Sequence, residues 1–226
     1  MARPRTDVDA TRSRLIETAE RLLKRRGPER LTVTEVAKAC RMSQSNAYRF
    51  VANRQELLQA MGERWFAAIE FGVLQAARST GDPSERFVQY FREQYRLKRQ
   101  LHDADPDLFA AYLRLGLANM EVVERHLERL REGLSDILSE LEAAHRLRRL
   151  DAREATLLAE ALMTRFRDPG QIMRHAATDS AGFAEAAARC VLGGLLNPAA
   201  TTSAQDDHLQ DEIDSSAAVM PRNEKV

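Results

Sequence analysis

The chain has 226 residues, 44% hydrophobic and 30% charged, which is enough for one or two domains with a proper core. No apolar run is long enough to cross a bilayer, and the charged opening MARPRTDVDATRSR lacks the apolar centre of a secretion signal, so a cytoplasmic protein with no membrane partner is expected. The net charge of zero hides a division: residues 1–54 hold 13 Lys+Arg against 6 Asp+Glu, and the rest of the chain holds 21 against 28. A basic head on an acidic body suits a protein that meets nucleic acid at one end only.

The first helix is expected from about Asp9 to Arg26, with Leu15, Ile16, Ala19, Leu22 and Leu23 as its buried stripe and Gly27-Pro28 as its stop. Arg3, Arg5, Arg12 and Arg14 precede or open it, a basic arm that could follow phosphates or simply be solvated. Thr32 and Glu35 read as a T-x-x-E capping box, starting a helix whose apolar face is Val36, Ala37 and Cys40. Arg41-Met42-Ser43 makes a turn, Met42 pointing inward and Ser43 capping the next helix, Gln44–Phe50. That helix carries Gln44, Ser45, Asn46, Tyr48 and Arg49, and only Ala47, with Phe50 and Val51 at its end, can anchor it. A short helix covered in hydrogen-bonding groups fits the second helix of a helix-turn-helix, entering the DNA major groove. Gln and Asn match the adenine edge, Arg the guanine edge and Ser either. Taken by itself, the pattern also fits a polar surface helix.

Asn53 caps a long fourth helix that ends near Ser79. Its first turn and the Arg54 guanidinium together make a phosphate site. Its stripe of Leu57, Leu58, Met61, Trp65 and Ile69 runs past the head, so this helix joins head to body. Asp82-Pro83-Ser84-Glu85 starts a helix with Phe87, Tyr90, Phe91 and Gln94 on one side, and Asp105-Pro106 starts another with Leu108, Ala111, Tyr112 and Leu115. Val123, Leu127, Leu130, Leu134, Ile137 and Leu141 mark a long core helix. Asp151 and Glu154 cap the next, with the stripe Ala155, Leu158, Ala159, Leu162 and Phe166, broken by Asp168-Pro169-Gly170. The last helix, about Gly182–Leu196, repeats Phe183, Ala187, Cys190 and Gly194, small residues that permit close helix approach. From Ala199 to Val226 the chain is polar and acidic, a disordered tail by composition. Cys40 and Cys190 read as buried thiols, and the five histidines show no metal-ligand spacing. No catalytic constellation is found, so no enzyme, metal or cofactor is expected.

From Arg14 to Met61, RLIETAERLLKRRGPERLTVTEVAKACRMSQSNAYRFVANRQELLQAM, the chain resembles the N-terminal DNA-binding domain of the TetR family of transcriptional regulators. The resemblance implies an all-α protein: a three-helix, homeodomain-like head (1–54), a helical regulatory and dimerisation body (55–198) and the tail (199–226). It implies double-stranded operator DNA as partner. Gln44, Ser45, Asn46 and Arg49 are the candidates for base edges, and Thr34, Ser43, Tyr48 and Arg54 for the backbone. It implies a homodimer through the last two helices, with Ala155, Leu158, Ala159, Leu162, Phe166, Phe183, Ala187, Cys190 and Gly194 as candidates, though packing within one chain fits the same pattern. It also implies a small-molecule pocket, for which Trp65, Phe66, Tyr90, Phe91, Phe109, Tyr112, His126 and Met163 are candidates. Each of these equally suits core packing, and the aromatic character suggests a largely apolar ligand.

Three departures stand out. Arg41 occupies a turn position where the family has glycine, Phe50 stands where a phosphate-bonding His or Tyr is usual, and Val51 replaces an aromatic. Three functions compete: a ligand-responsive dimeric repressor, a DNA-binding regulator whose body serves only dimerisation or protein contacts, and a helical enzyme with an incidental helix-turn-helix.

Overall fold

The computed structural model describes residues 5–198; the expected acidic tail and Arg3 lie outside the described residues. Helices dominate: α1 (Arg5–Arg26), α2 (Val33–Ala39), α3 (Gln44–Ala47), α4 (Arg54–Ala77), α5 (Pro83–Ala104), α6 (Pro106–Ala118), α7 (Met120–Ala143), α8 (Ala152–Leu162), α9 (Thr164–Arg167), α10 (Pro169–Arg174) and α11 (Ala181–Leu195). Polar caps set most of the boundaries. Thr32, Ser43, Asn53, Asp82, Asp105, Asp151, Asp168 and Ser180 each accept a hydrogen bond from a first-turn amide.

Two cores follow from the apolar stripes. The head core joins Leu15, Leu23, Val36, Ala47 and Leu57 of the first four helices, and Leu31 between α1 and α2, to Ala111, Tyr112 and Leu115 of α6. The body core gathers α4, α5, α7, α8 and α11 around Phe87, Tyr90, Phe91, Leu130 and Leu134. Because α4 feeds both cores, the head is continuous with the body through a rigid rod of 24 residues. A Cβ on Gly62 of α4 would stand 2.7 Å from Val122 Cγ1 on α7, so the missing side chain there lets the two helices meet.

Several expectations change. The capping box at Thr32 is half formed, since Glu35 turns its carboxylate to Arg26, whereas the box at Asp151 and Glu154 is complete. The α-helical part of α3 ends at Ala47; Tyr48 N still bonds the Gln44 carbonyl four residues back, and Arg49 and Phe50 continue as a tighter turn bonded three residues back. Asp168-Pro169-Gly170 both ends α9 and starts α10, with the same Asp-Pro signature that opens α5 and α6. Cys190 is exposed and Cys40 half-buried, so neither is the buried thiol expected.

Candidate functional site

The turn between α2 and α3 is made by Arg41 at φ 54°, a left-handed conformation in a side chain that rarely adopts it. The glycine-like geometry is therefore retained without the glycine. Ser43 Oγ accepts from Asn46 N at 3.3 Å and leaves its own hydroxyl hydrogen free for an outside acceptor. Ala47 is buried and docks α3 on the head core. Gln44, Ser45 and Arg49 are exposed, Asn46 is half-buried, and Tyr48 is 42% exposed. Thr34 is exposed on α2. Phe50 packs against the head core and Val51 is buried within it, so these two departures serve packing, and Phe50 has no polar group for a phosphate.

Arg54 has a role not visible in the sequence. Its Nε donates to the Leu31 carbonyl at 2.9 Å and its Nη2 to the Pro28 carbonyl at 2.6 Å, tying the start of α4 to the segment between α1 and α2. One edge of the guanidinium is thus committed to the fold, while the residue as a whole stays exposed.

Between α4, α5, α6, α7 and the α9–α10 junction lies a cavity of about 350 Å³. Five of the expected pocket residues line it: Trp65, Phe66, Phe109, Tyr112 and His126. Trp65 stacks on Tyr112 at 4.0 Å between centroids, and Phe66 stacks on His126 at the same distance. Tyr90, Phe91 and Met163 do not line the cavity; they are buried in the body core, where the Tyr90 hydroxyl donates to the Leu130 carbonyl at 2.9 Å. Sequence reading missed Lys98 and Arg167 on the wall. Lys98 follows Gln94 by one helical turn, so the buried face of Phe87, Tyr90, Phe91 and Gln94 already pointed to it. Burial, with the nearby Arg167 charge, pushes the Lys98 ammonium down to about 7.

The cavity is wired to the head. Tyr112 OH donates to Glu20 Oε1 on α1 at 2.8 Å, Lys24 of α1 bonds the α6 cap Asp105 at 2.7 Å, and Gln55 of α4 donates to Asn119 Oδ1 at 3.2 Å. Burial pushes the Tyr112 phenol far above its ordinary range, which keeps it a donor.

Of the candidate dimer residues, Ala155, Ala159 and Phe166 turn inward and belong to this chain's own core. The outer faces of α8 and α11 instead expose Leu158, Leu162 (57% exposed), Phe183 (49% exposed), Cys190 and Gly194, with Leu157 beside them and Ala187 half-buried. The helical period explains the correction, since one stripe cannot face both the core and a partner.

Residues 15–61 match the model of bacterial regulatory proteins of the tetR family, and residues 83–191 match the tetracyclin repressor-like C-terminal domain. The chain belongs to the TetR family of transcriptional regulators, and it is a DNA-binding regulator of transcription. No curated protein matches it. Similar solved structures include SmeT, the repressor of the Stenotrophomonas maltophilia multidrug efflux pump SmeDEF, at TM-score 0.65 and 16% identity, over 85% of this chain and 93% of that one. A SmeT–triclosan complex aligns at TM-score 0.65 and 16% identity, over 84% of this chain and 93% of that one. The transcriptional regulator FadR from Bacillus subtilis in complex with stearoyl-CoA aligns at TM-score 0.62 and 15% identity, over 81% and 98% respectively. At these identities the likeness is one of fold. No helix among the described residues is long and apolar enough to cross a membrane.

Proposed function

We propose that the protein is a dimeric repressor whose grip on operator DNA is released by a small, largely apolar ligand. The observation that carries this reading is Tyr112, which lines the cavity, stacks on Trp65 of α4 and bonds Glu20 of α1. A ligand that displaces Tyr112 or Trp65 therefore acts on α1 and α4, and α1 packs against the α2 that carries α3. In the dimer, Gln44, Ser45, Asn46 and Arg49 face base edges, while Thr34, Ser43, Tyr48 and the free edge of Arg54 meet the backbone. The exposed apolar faces of α8 and α11 pair across a two-fold axis, which matches a near-palindromic operator. The bound triclosan and stearoyl-CoA of structurally similar regulators support a ligand with an apolar body.

The test is fluorescence anisotropy on labelled DNA flanking the protein's own gene, with apolar compounds added in turn. Compounds that stabilise the protein should weaken its DNA affinity by about 5- to 150-fold. Stabilising compounds that leave that affinity unchanged would reduce the body to dimerisation alone.

A further inference from the structure

The cavity wall is mainly apolar, with Lys98, Tyr112, His126, Thr164, Arg167 and Asp168 as its polar residues, and Lys98 and His126 have hydrogen-bonding capacity left unfilled. Lys98 is 3% exposed, and its Nζ donates to the Arg167 carbonyl at 2.6 Å. An ammonium has three N–H donors, and among the described residues no carboxylate lies within ion-pair distance of this one, Asp168 on the same wall acting on it only from further away. With one neutral acceptor the charged form of this buried amine is poorly compensated, and an anion entering the cavity would favour that form and pair with it.

His126 is 2% exposed, and its Nδ1 lies 2.8 Å from Glu70 Oε1. The same carboxylate takes two further hydrogen bonds from Arg129, at 2.8 and 2.7 Å. Burial pushes Glu70 up, but these bonds outweigh it and hold the group at about 2, so it is ionised and accepts the Nδ1 proton. Burial pushes His126 down to about 4, so the ring is neutral and Nε2 is a bare lone pair. That Nε2 is buried without a partner, on a residue that lines the cavity. It calls for a hydrogen-bond donor, whereas Lys98 calls for an acceptor.

We propose that the cavity is built for a hydroxylated apolar acid, whose acid group meets Lys98 Nζ and whose hydroxyl donates to His126 Nε2 while its hydrocarbon body fills the aromatic wall. This rests on the reading of the cavity as a ligand site. At about 350 Å³ the cavity lies at the small end of ligand pockets and calls for a small, single-chain ligand.

Monofunctional probes of that size separate the two contacts: decanoate reads Lys98, 1-decanol reads His126, and decylamine is the mismatched charge. Binding to the full chain is measured by calorimetry and thermal shift, for the unaltered protein, Lys98→Met and His126→Phe, the last keeping a ring against Phe66. Lys98→Met should weaken decanoate by about ten- to a hundredfold and spare decanol, since a charged hydrogen bond is lost. His126→Phe should weaken decanol by roughly tenfold and spare decanoate, and decylamine should bind neither variant nor the unaltered protein. Equal losses of both probes in both variants, or decylamine binding as well as decanoate, would overturn the two-point assignment while leaving an apolar ligand site. Absence of binding by every probe would overturn the assignment and the ligand-site reading together.

Discussion

Tyr112 on α6 reaches Glu20 on α1 with a 2.8 Å hydrogen bond while its ring forms part of the cavity wall. One side chain thus touches the ligand space and the DNA-binding head at once. Tyr112→Phe keeps the ring and removes the link. Ligand affinity should change less than about threefold, stability should fall by about 1 kcal/mol, and the ligand's effect on operator affinity should shrink several-fold. Operator titrations with and without ligand, beside urea unfolding, measure all three.

Arg41 holds φ 54° where a left-handed turn is needed. An L side chain there is disfavoured by about 1 kcal/mol, so Arg41→Gly should stabilise the head by up to that amount. A higher urea midpoint with an unchanged slope is the expected result.

The α3 candidates divide by chemistry. Gln44→Ala and Asn46→Ala should each relax base preference at one position by about 1–3 kcal/mol. Tyr48→Phe should weaken all sequences alike and leave the salt slope unchanged, because a hydroxyl carries no charge. Arg54→Ala should lower that slope by about one and also destabilise the head by about 1–3 kcal/mol, through the lost bonds to Leu31 and Pro28. Mobility shifts over a salt series on variant operators would separate the three behaviours.

Leu162 is 57% exposed on α8, a helix that packs against α11. Leu162→Glu should give a monomer in sedimentation equilibrium with helicity intact. Binding to a two-site operator should then fall by about a hundredfold, as avidity is lost.

Lys98 makes stability depend on pH. Its ammonium is pushed from 10.5 to about 7 by burial, so between those values the unfolded chain binds a proton the folded chain does not. Stability contributed at this site therefore rises as pH climbs from about 7 towards 10.5. Unfolding of Lys98→Met over that range should show a flatter rise than the unaltered protein.

Much of this architecture was legible because it rests on local chemistry. Asp82-Pro83, Asp105-Pro106 and Asp151 with Glu154 each announced a helix start, and the turn at Arg41 was readable from its place before Ser43. What stayed hidden depends on tertiary placement. Ala155 and Leu158 lie in one apolar run, yet one faces the core and the other is exposed, and only the packing of α8 decides which. Tyr90 and Trp65 are both large and aromatic, but Tyr90 fills the core and Trp65 lines the cavity. Lys98 lies on the readable buried face of α5, but only the packing of α5 with α9 and α10 makes that stretch a cavity wall. Arg54 could be read as a phosphate ligand, but not as a brace on Leu31 and Pro28.

A two-fold dimer should set two copies of α3 into successive turns of duplex DNA. Footprinting of the purified full-length protein on the DNA flanking its own gene tests it most directly. Protection of two inverted half-sites roughly 34 Å apart or a multiple of that, lost in Leu162→Glu, is the expected result. An unprotected fragment at low salt, or uniform protection with no half-site symmetry, would contradict it.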